Sequence, residues 1–322
     1  MRVLVYGAGA IGGVIGGRLF QADHDVTLVA RGEHLAALQS RGLELVDARG
    51  RVVLPVPAVG HPSEVALADG DVVLLTMKSQ DTAAALQALI THAPAGINVV
   101  CAQNGVENER LALRSFADVY ALNVICPATH LQPGVVVAHS QPVNGQFDLG
   151  RYPAGTDATA EALAGALRSA GFDSEARPDI LRWKYRKLML NLVNVALAVC
   201  DESPELPDLV RLLRAEGAAA LAAAGIDTVS IEEDKARRAG RIESRDIEGV
   251  PRGGGSTWQS LARGTGSVET DYLTGEVVLL GRLHGVPTPA SELLQRLAHR
   301  AVAERLPPGH LSAAEVLAQL DD

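Results

Sequence analysis

The chain has 322 residues, 47% of them hydrophobic and 21% charged. That is length for about two domains and apolar material for a sizeable core, which excludes a disordered chain. A formal net charge of −9 speaks against bulk attraction to nucleic acid or to an anionic membrane. Cys101, Cys126 and Cys200 are odd in number and lack C-x-x-C spacing, so neither a disulfide framework nor a metal site is expected, and they read as reduced thiols of a cytoplasmic protein. Aromatic residues are scarce, with 2 Trp, 5 Tyr and 4 Phe, which suits close-packed helices on parallel strands and points to an α/β fold. No uncharged apolar run reaches the ~18 residues of a membrane span.

Arg2 to Tyr6 reads as a buried strand that stops at Gly7-Ala8-Gly9-Ala10-Ile11-Gly12, where a helical pattern begins. This is G-x-G-x-x-G between a strand and a helix, the context a dinucleotide requires. Gly7 allows the tight turn, Gly9 lets a pyrophosphate approach the backbone, and Gly12 lets helix and strand pack closely, with the helix N-terminus attracting phosphate. The bland alternative is close packing alone. The next strand, Asp25 to Ala30, ends in Ala30-Arg31-Gly32 rather than in a carboxylate. A guanidinium there pairs with a 2′-phosphate, so the expected cofactor is NADPH rather than NADH; the alternative is a solvated Arg.

Strand-like runs at Asp71 to Met77, Ile97 to Gln103 and Val119 to Cys126 alternate with helical stretches at Pro62 to Ala68, Thr82 to His92 and Val106 to Phe116. Such alternation predicts a parallel sheet with helices on both faces and ligands beyond the carboxyl ends of its strands. Lys78 and Asn104 lie there, although Asn104-Gly105 is also a plain turn dipeptide. Gly134 to Gly150 reads as a hairpin around Asn144-Gly145, followed by a helix from Thr156 to Ala170 and a strand near Phe172 to Ala176. Pro178 marks a boundary: 1–178 is expected to be a Rossmann-type NADP-binding domain and 179–322 an all-helical substrate domain.

Asp179 to Val199 has the pattern of a long helix, and Lys184, Lys187, Asn191 and Asn194 fall within an arc of about 80° on it. Two amines and two amides on one stripe of an apolar helix point to a polar pocket, the alternative being a solvated face. Which lysine does the chemistry is open. The loop Gly249 to Gly255 leads to Ser256-Thr257-Trp258-Gln259, a capping-box pattern that also presents a hydroxyl and free amides to a carboxylate. Glu269 and Asp271 precede the helical run Tyr272 to His284. Ala290 to Leu306 and Leu311 to Leu320 read as packing helices. The arginines between Arg237 and Arg252 alternate with Glu232, Glu233, Glu243 and Glu248, which reads as a solvated segment.

Together GAGAIG at Gly7 to Gly12, Ala30-Arg31, Lys78, Gln103-Asn104-Gly105, Lys187-x-x-x-Asn191, Ser256-x-x-Gln259 and Glu269-x-Asp271-Tyr272 resemble the ketopantoate reductase family over nearly the whole chain. The resemblance implies NADPH-dependent reduction of 2-dehydropantoate in pantothenate biosynthesis, in the cleft between a Rossmann-type domain and a helical domain. It implies that Lys187 protonates the forming alkoxide, that Glu269 binds the substrate hydroxyl and holds Lys187, that Ser256 binds the carboxylate, and that Asn104 and Asn191 orient the substrate. Asn194 follows Asn191 by three positions where the family commonly has four, and the Gln259–Glu269 interval is one residue longer. Both departures fall on the substrate side and leave open another small 2-keto acid as substrate. A non-catalytic NADPH sensor is the alternative of a different class, and a homodimer is left open.

Overall fold

In a computed structural model, described here for residues 1–247, 254–264 and 266–321, the chain divides into two compact units: Met1–Lys184 with Ser230–Arg252, and Tyr185–Val229 with Gly253–Asp322. The sequence reading cuts at residue 178. In the structure the first unit runs into the helix that follows and takes in a later excursion of the chain. That excursion carries no local signature of its membership.

The first unit begins with β1 (Val3–Tyr6), α1 (Ala10–Gln21), β2 (Val26–Val29), α2 (Gly32–Arg41), β3 (Leu43–Asp47), β4 (Gly50–Leu54) and β5 (Ala58–Val59). It continues through β6 (Val72–Leu75), α3 (Thr82–His92), β7 (Asn98–Cys101), α4 (Asn108–Leu113), β8 (Val119–Ile125) and β9 (Ala128–Thr129). β10 (Val135–Ala138), β11 (Ser140–Pro142), β12 (Gln146–Arg151) and α5 (Ala158–Ser169) complete the run before the helix α6 (Ile180–Val199). Seven strands form one sheet in the order β12-β8-β7-β6-β1-β2-β5, all parallel except β12, which lies antiparallel on β8. Side-chain alternation explains why its strands are apolar throughout. Val3 and Val5 of β1 and Val72 and Leu74 of β6 face one core with Ile15, Leu19 and Leu163, while Leu4, Val73 and Leu75 face a second core with Leu86, Leu89 and Phe116. A parallel sheet covered on both faces buries every residue of its central strands.

The hairpin expected between Gly134 and Gly150 does not form. β10 joins β3, β4 and β9 in a separate four-stranded sheet, β11 pairs with β13 (Ile242–Ser244), and only β12 reaches the main sheet edge. Asn144 is the reason: its amide is buried and donates to the Ala170 carbonyl at 3.3 Å, so it is an internal link rather than a turn tip. Phe172 to Ala176 makes isolated parallel bridges to β12 instead of a strand.

The second unit is helical: the rest of α6, α7 (Leu206–Ala223), α9 (Ser256–Ala262), α10 (Thr274–His284), α11 (Pro289–Ala303) and α12 (Ala313–Asp321), with α8 (Ile231–Arg238) belonging to the first unit. Leu192, Val195, Ala196 and Val199 of α6 pack with Leu213 of α7, Val277 of α10 and Leu294 of α11, a face of the helix distinct from its polar stripe. Among the described residues, no helix is long and apolar enough to cross a membrane.

Candidate active site

The turn between β1 and α1 meets each requirement set by its glycines. Gly7 has φ +108°, and a Cβ on it would stand 2.7 Å from the Met77 amide nitrogen. A Cβ on Gly12 would stand 2.3 Å from the Gly7 carbonyl oxygen and 2.5 Å from Thr76 Oγ1, so residue 12 is glycine because helix and turn touch there. At Gly9 nothing lies within 4 Å of the corresponding position, which leaves the backbone approachable. The turn is tied down: Gly7 and Ala8 amides donate to the Val29 carbonyl, and the Thr76 hydroxyl donates to the Gly7 carbonyl at 2.8 Å. Ala10, Ile11 and Gly12 open α1, and the amides of a helix's first turn have no intrahelical acceptor. These features fit a dinucleotide pyrophosphate. Arg31 precedes α2 as its N-cap, and its guanidinium is 86% exposed, 3.2 Å from Asp81.

The ends of β6 and β7 are joined by a polar network. Gln103 Nε2 donates to the Met77 carbonyl at 3.0 Å and to the Thr82 hydroxyl at 2.8 Å. Asn108 Nδ2 donates to Ser79 Oγ at 3.1 Å and to the Asn104 carbonyl at 3.3 Å, while the Thr82 hydroxyl donates to Asn108 Oδ1 at 2.8 Å. Lys78 lies three residues beyond β6, as the N-cap of the one-turn 3₁₀ segment Ser79–Asp81. Asn104-Gly105 is a turn, with Gly105 at φ +83°, and it also presents an enclosed side-chain oxygen, Asn104 Oδ1, without a partner among the described residues.

Of the two stripe lysines, Lys184 is committed to the first unit. Its ammonium is buried, pairs with the Glu109 carboxylate of α4 and donates to the Gln103 carbonyl at 3.1 Å. Burial pushes the Glu109 carboxyl upward, and the adjacent ammonium pulls it back. Lys187, one turn later, is half-buried in the second unit. In the same unit Asn191 is buried, and its Nδ2 lacks a partner among the described residues. Asn194 Nδ2 reaches Asn191 Oδ1 at 3.4 Å, so the two amides are neighbours as the stripe requires.

The loop before Ser256 lies outside the described residues up to 253. The capping box is not made: Gly255 is the N-cap of α9, with no side-chain cap bond, and Gln259 Nε2 donates to the Gly254 carbonyl at 3.1 Å. Ser256 is therefore the first helical residue, and its hydroxyl is enclosed, without a partner among the described residues. Glu269 is buried at the start of the one-turn 3₁₀ segment Thr270–Tyr272. Asp271, by contrast, is spent on structure, accepting from Gln295 and His299, each at 2.7 Å. Another departure from the sequence reading is Arg237, which is buried and donates to both Asp148 oxygens at 3.0 and 2.7 Å. Its partners come from a strand far earlier in the chain, which local charge alternation cannot reveal. Sequence reasoning also passes over His34, Thr76, Asn108 and Glu109, ordinary polar residues with partners as far as 100 positions away along the chain.

Two family models match the chain: "Ketopantoate reductase PanE/ApbA" over residues 3–154 and its C-terminal counterpart over 179–302. A 2-dehydropantoate 2-reductase of Halobacterium salinarum is 30% identical over 94% of this chain and 99% of its own length. One from Mesorhizobium japonicum is 29% identical, covering 95% and 99%. The crystal structure of a PanE/ApbA family ketopantoate reductase from Ralstonia eutropha superposes with a TM-score of 0.80 at 29% identity, over 95% of this chain and 99% of that one. D-mandelate dehydrogenase with NADH and anilino(oxo)acetate, at 24% identity and a TM-score of 0.81 over 95% and 99%, shares the fold. A glycine turn at the carboxyl edge of a doubly wound sheet, followed by a helical unit, defines a Rossmann-type oxidoreductase. The chain belongs to the ketopantoate reductase PanE/ApbA family, and its chemistry is that of an oxidoreductase acting on CH–OH groups.

Proposed function

We propose that the chain reduces the C2 ketone of 2-dehydropantoate with NADPH, giving pantoate for pantothenate biosynthesis in the cytoplasm. The observation that carries this reading is that relatives sharing that activity in their names align with more than nine-tenths of the chain. The open space at Gly9, the first-turn amides of α1, which have no intrahelical acceptor, and the exposed Arg31 suit a dinucleotide with a 2′-phosphate. When bound, that cofactor supplies the hydride. Lys78 would contact its ribose or phosphate and Asn104 its nicotinamide end.

As hydride adds to C2, the carbonyl π electrons move to oxygen, and Lys187 Nζ delivers the proton that turns the forming alkoxide into the product hydroxyl. An ammonium is worth more to the alkoxide than to the ketone, so it lowers the barrier rather than merely binding substrate. Glu269 would hold Lys187 and the substrate hydroxyl. Ser256 Oγ would bind the carboxylate and Asn191 Nδ2 would orient the substrate; both atoms are enclosed without a partner among the described residues, and each would gain in doing so what burial without a partner costs it. Lys187→Ala should lower kcat with ketopantoate by on the order of 10²–10⁴-fold while leaving NADPH binding intact; unchanged turnover overturns the assignment. The contact of Asn194 with Asn191, at a three-residue spacing, favours a second reading in which another small 2-keto acid is the substrate. Comparing kcat/KM for ketopantoate with that for other 2-keto acids, and for NADPH with that for NADH, separates the two.

A further inference from the structure

Both ring nitrogens of His34, on α2, are engaged. The Gly134 amide lies 2.9 Å from Nδ1, and an amide can only donate, so Nδ1 carries no proton. The proton is therefore on Nε2, which donates to the Ala8 carbonyl at 2.7 Å. The geometry alone sets the tautomer. The same peptide is held at its other end, where the Gly9 amide donates to the Gly7 carbonyl at 2.7 Å.

The Ala8–Gly9 peptide lies at the middle of the glycine turn. Were it to rotate, its carbonyl oxygen would swing toward the space left open at Gly9 and repel a phosphate there. We propose that His34 is a positioning residue for the dinucleotide: its neutral imidazole fixes this peptide, turning the carbonyl away from the pyrophosphate and the first-turn amides of α1 toward it. One helix then serves both ends of the recognition, because α2 carries Arg31 at its N-cap and His34 three residues on. The diphosphate turn and the guanidinium are kept in register by a side chain that touches neither phosphate.

This inference rests on the NADPH reading, and direct binding separates the two. NADPH is titrated into the wild type and into His34→Gln, His34→Asn and His34→Ala, with kcat measured at saturating NADPH. Gln places an amide N–H at about the reach of Nε2, whereas Asn can replace only the acceptor at Nδ1. The expected result is near-wild-type affinity for His34→Gln and about tenfold weaker binding for His34→Asn and His34→Ala, the effect of one lost hydrogen bond, with kcat held. Equal affinity in all four proteins, or equal loss in Gln and Asn, overturns the positioning role while leaving the cofactor assignment standing. A wild type that binds no dinucleotide overturns both.

Discussion

Gly9 and Gly12 sit three residues apart in one turn and are glycine for opposite reasons, which makes them a sensitive pair of probes. At Gly12 an added methyl meets backbone and a hydroxyl at 2.3 and 2.5 Å, so Gly12→Ala must displace the turn and should lower Tm together with NADPH affinity. At Gly9 the methyl enters open space, so Gly9→Ala should melt as the wild type does and lose NADPH alone. Thermal unfolding and NADPH titration of the two variants check this; a stability loss in Gly9→Ala equal to that of Gly12→Ala would contradict it. At this scale the sequence is highly informative, because a glycine's constraint is local and its motif spacing is short. His34 shows the limit. Nothing around it distinguishes a solvated histidine from one whose ring nitrogens reach Ala8, 26 positions before it, and Gly134, 100 positions after it.

Helix α6 was legible as an element almost to its ends, Asp179 to Val199 against the observed Ile180–Val199, because an apolar pattern at helical period over twenty residues is hard to mistake. What its stripe does was not legible. Lys184 and Lys187 are one turn apart and chemically alike, and only the position of Glu109 on α4 separates them: Lys184 is sealed against that carboxylate with both side chains at 2% exposure or less. A buried ion pair of this kind is costly to halve and cheap to replace as a whole. Glu109→Ala should therefore destabilise the first unit by about 3–5 kcal/mol in denaturant unfolding, whereas Glu109→Leu combined with Lys184→Met should recover most of that loss. Failure of the double variant to recover would mean that the bonds of Lys184 to the Gln103 carbonyl, and through it the order of the Asn104 turn, dominate the energetics.

Across the whole molecule the chain passes between its two units three times, after Lys184, Val229 and Arg252, and the excursion Ser230–Arg252 is returned to the first unit by charge as well as by strand pairing. Arg237 grips Asp148 with two nitrogens and also pairs with Asp173, and Asp148 in turn holds Arg177 at 2.8 Å. Arg237→Ala should cost about 3 kcal/mol by leaving buried carboxylates undercompensated, and Arg237→Lys should restore little of it, since an ammonium cannot reproduce the two-pronged contact. Urea unfolding of the three proteins measures both. By itself the sequence determined the parallel sheet, the glycine turn with its Arg31 sequel and the helical second half, because period, turn chemistry and motif spacing are properties of neighbours along the chain. The tertiary structure alone decided which lysine is sealed, which histidine holds the turn, where the segment around Asn144 pairs and where Arg237 lies. Those outcomes depend on polar partners brought together from distant positions, and a buried charge or amide takes whichever partner the fold supplies.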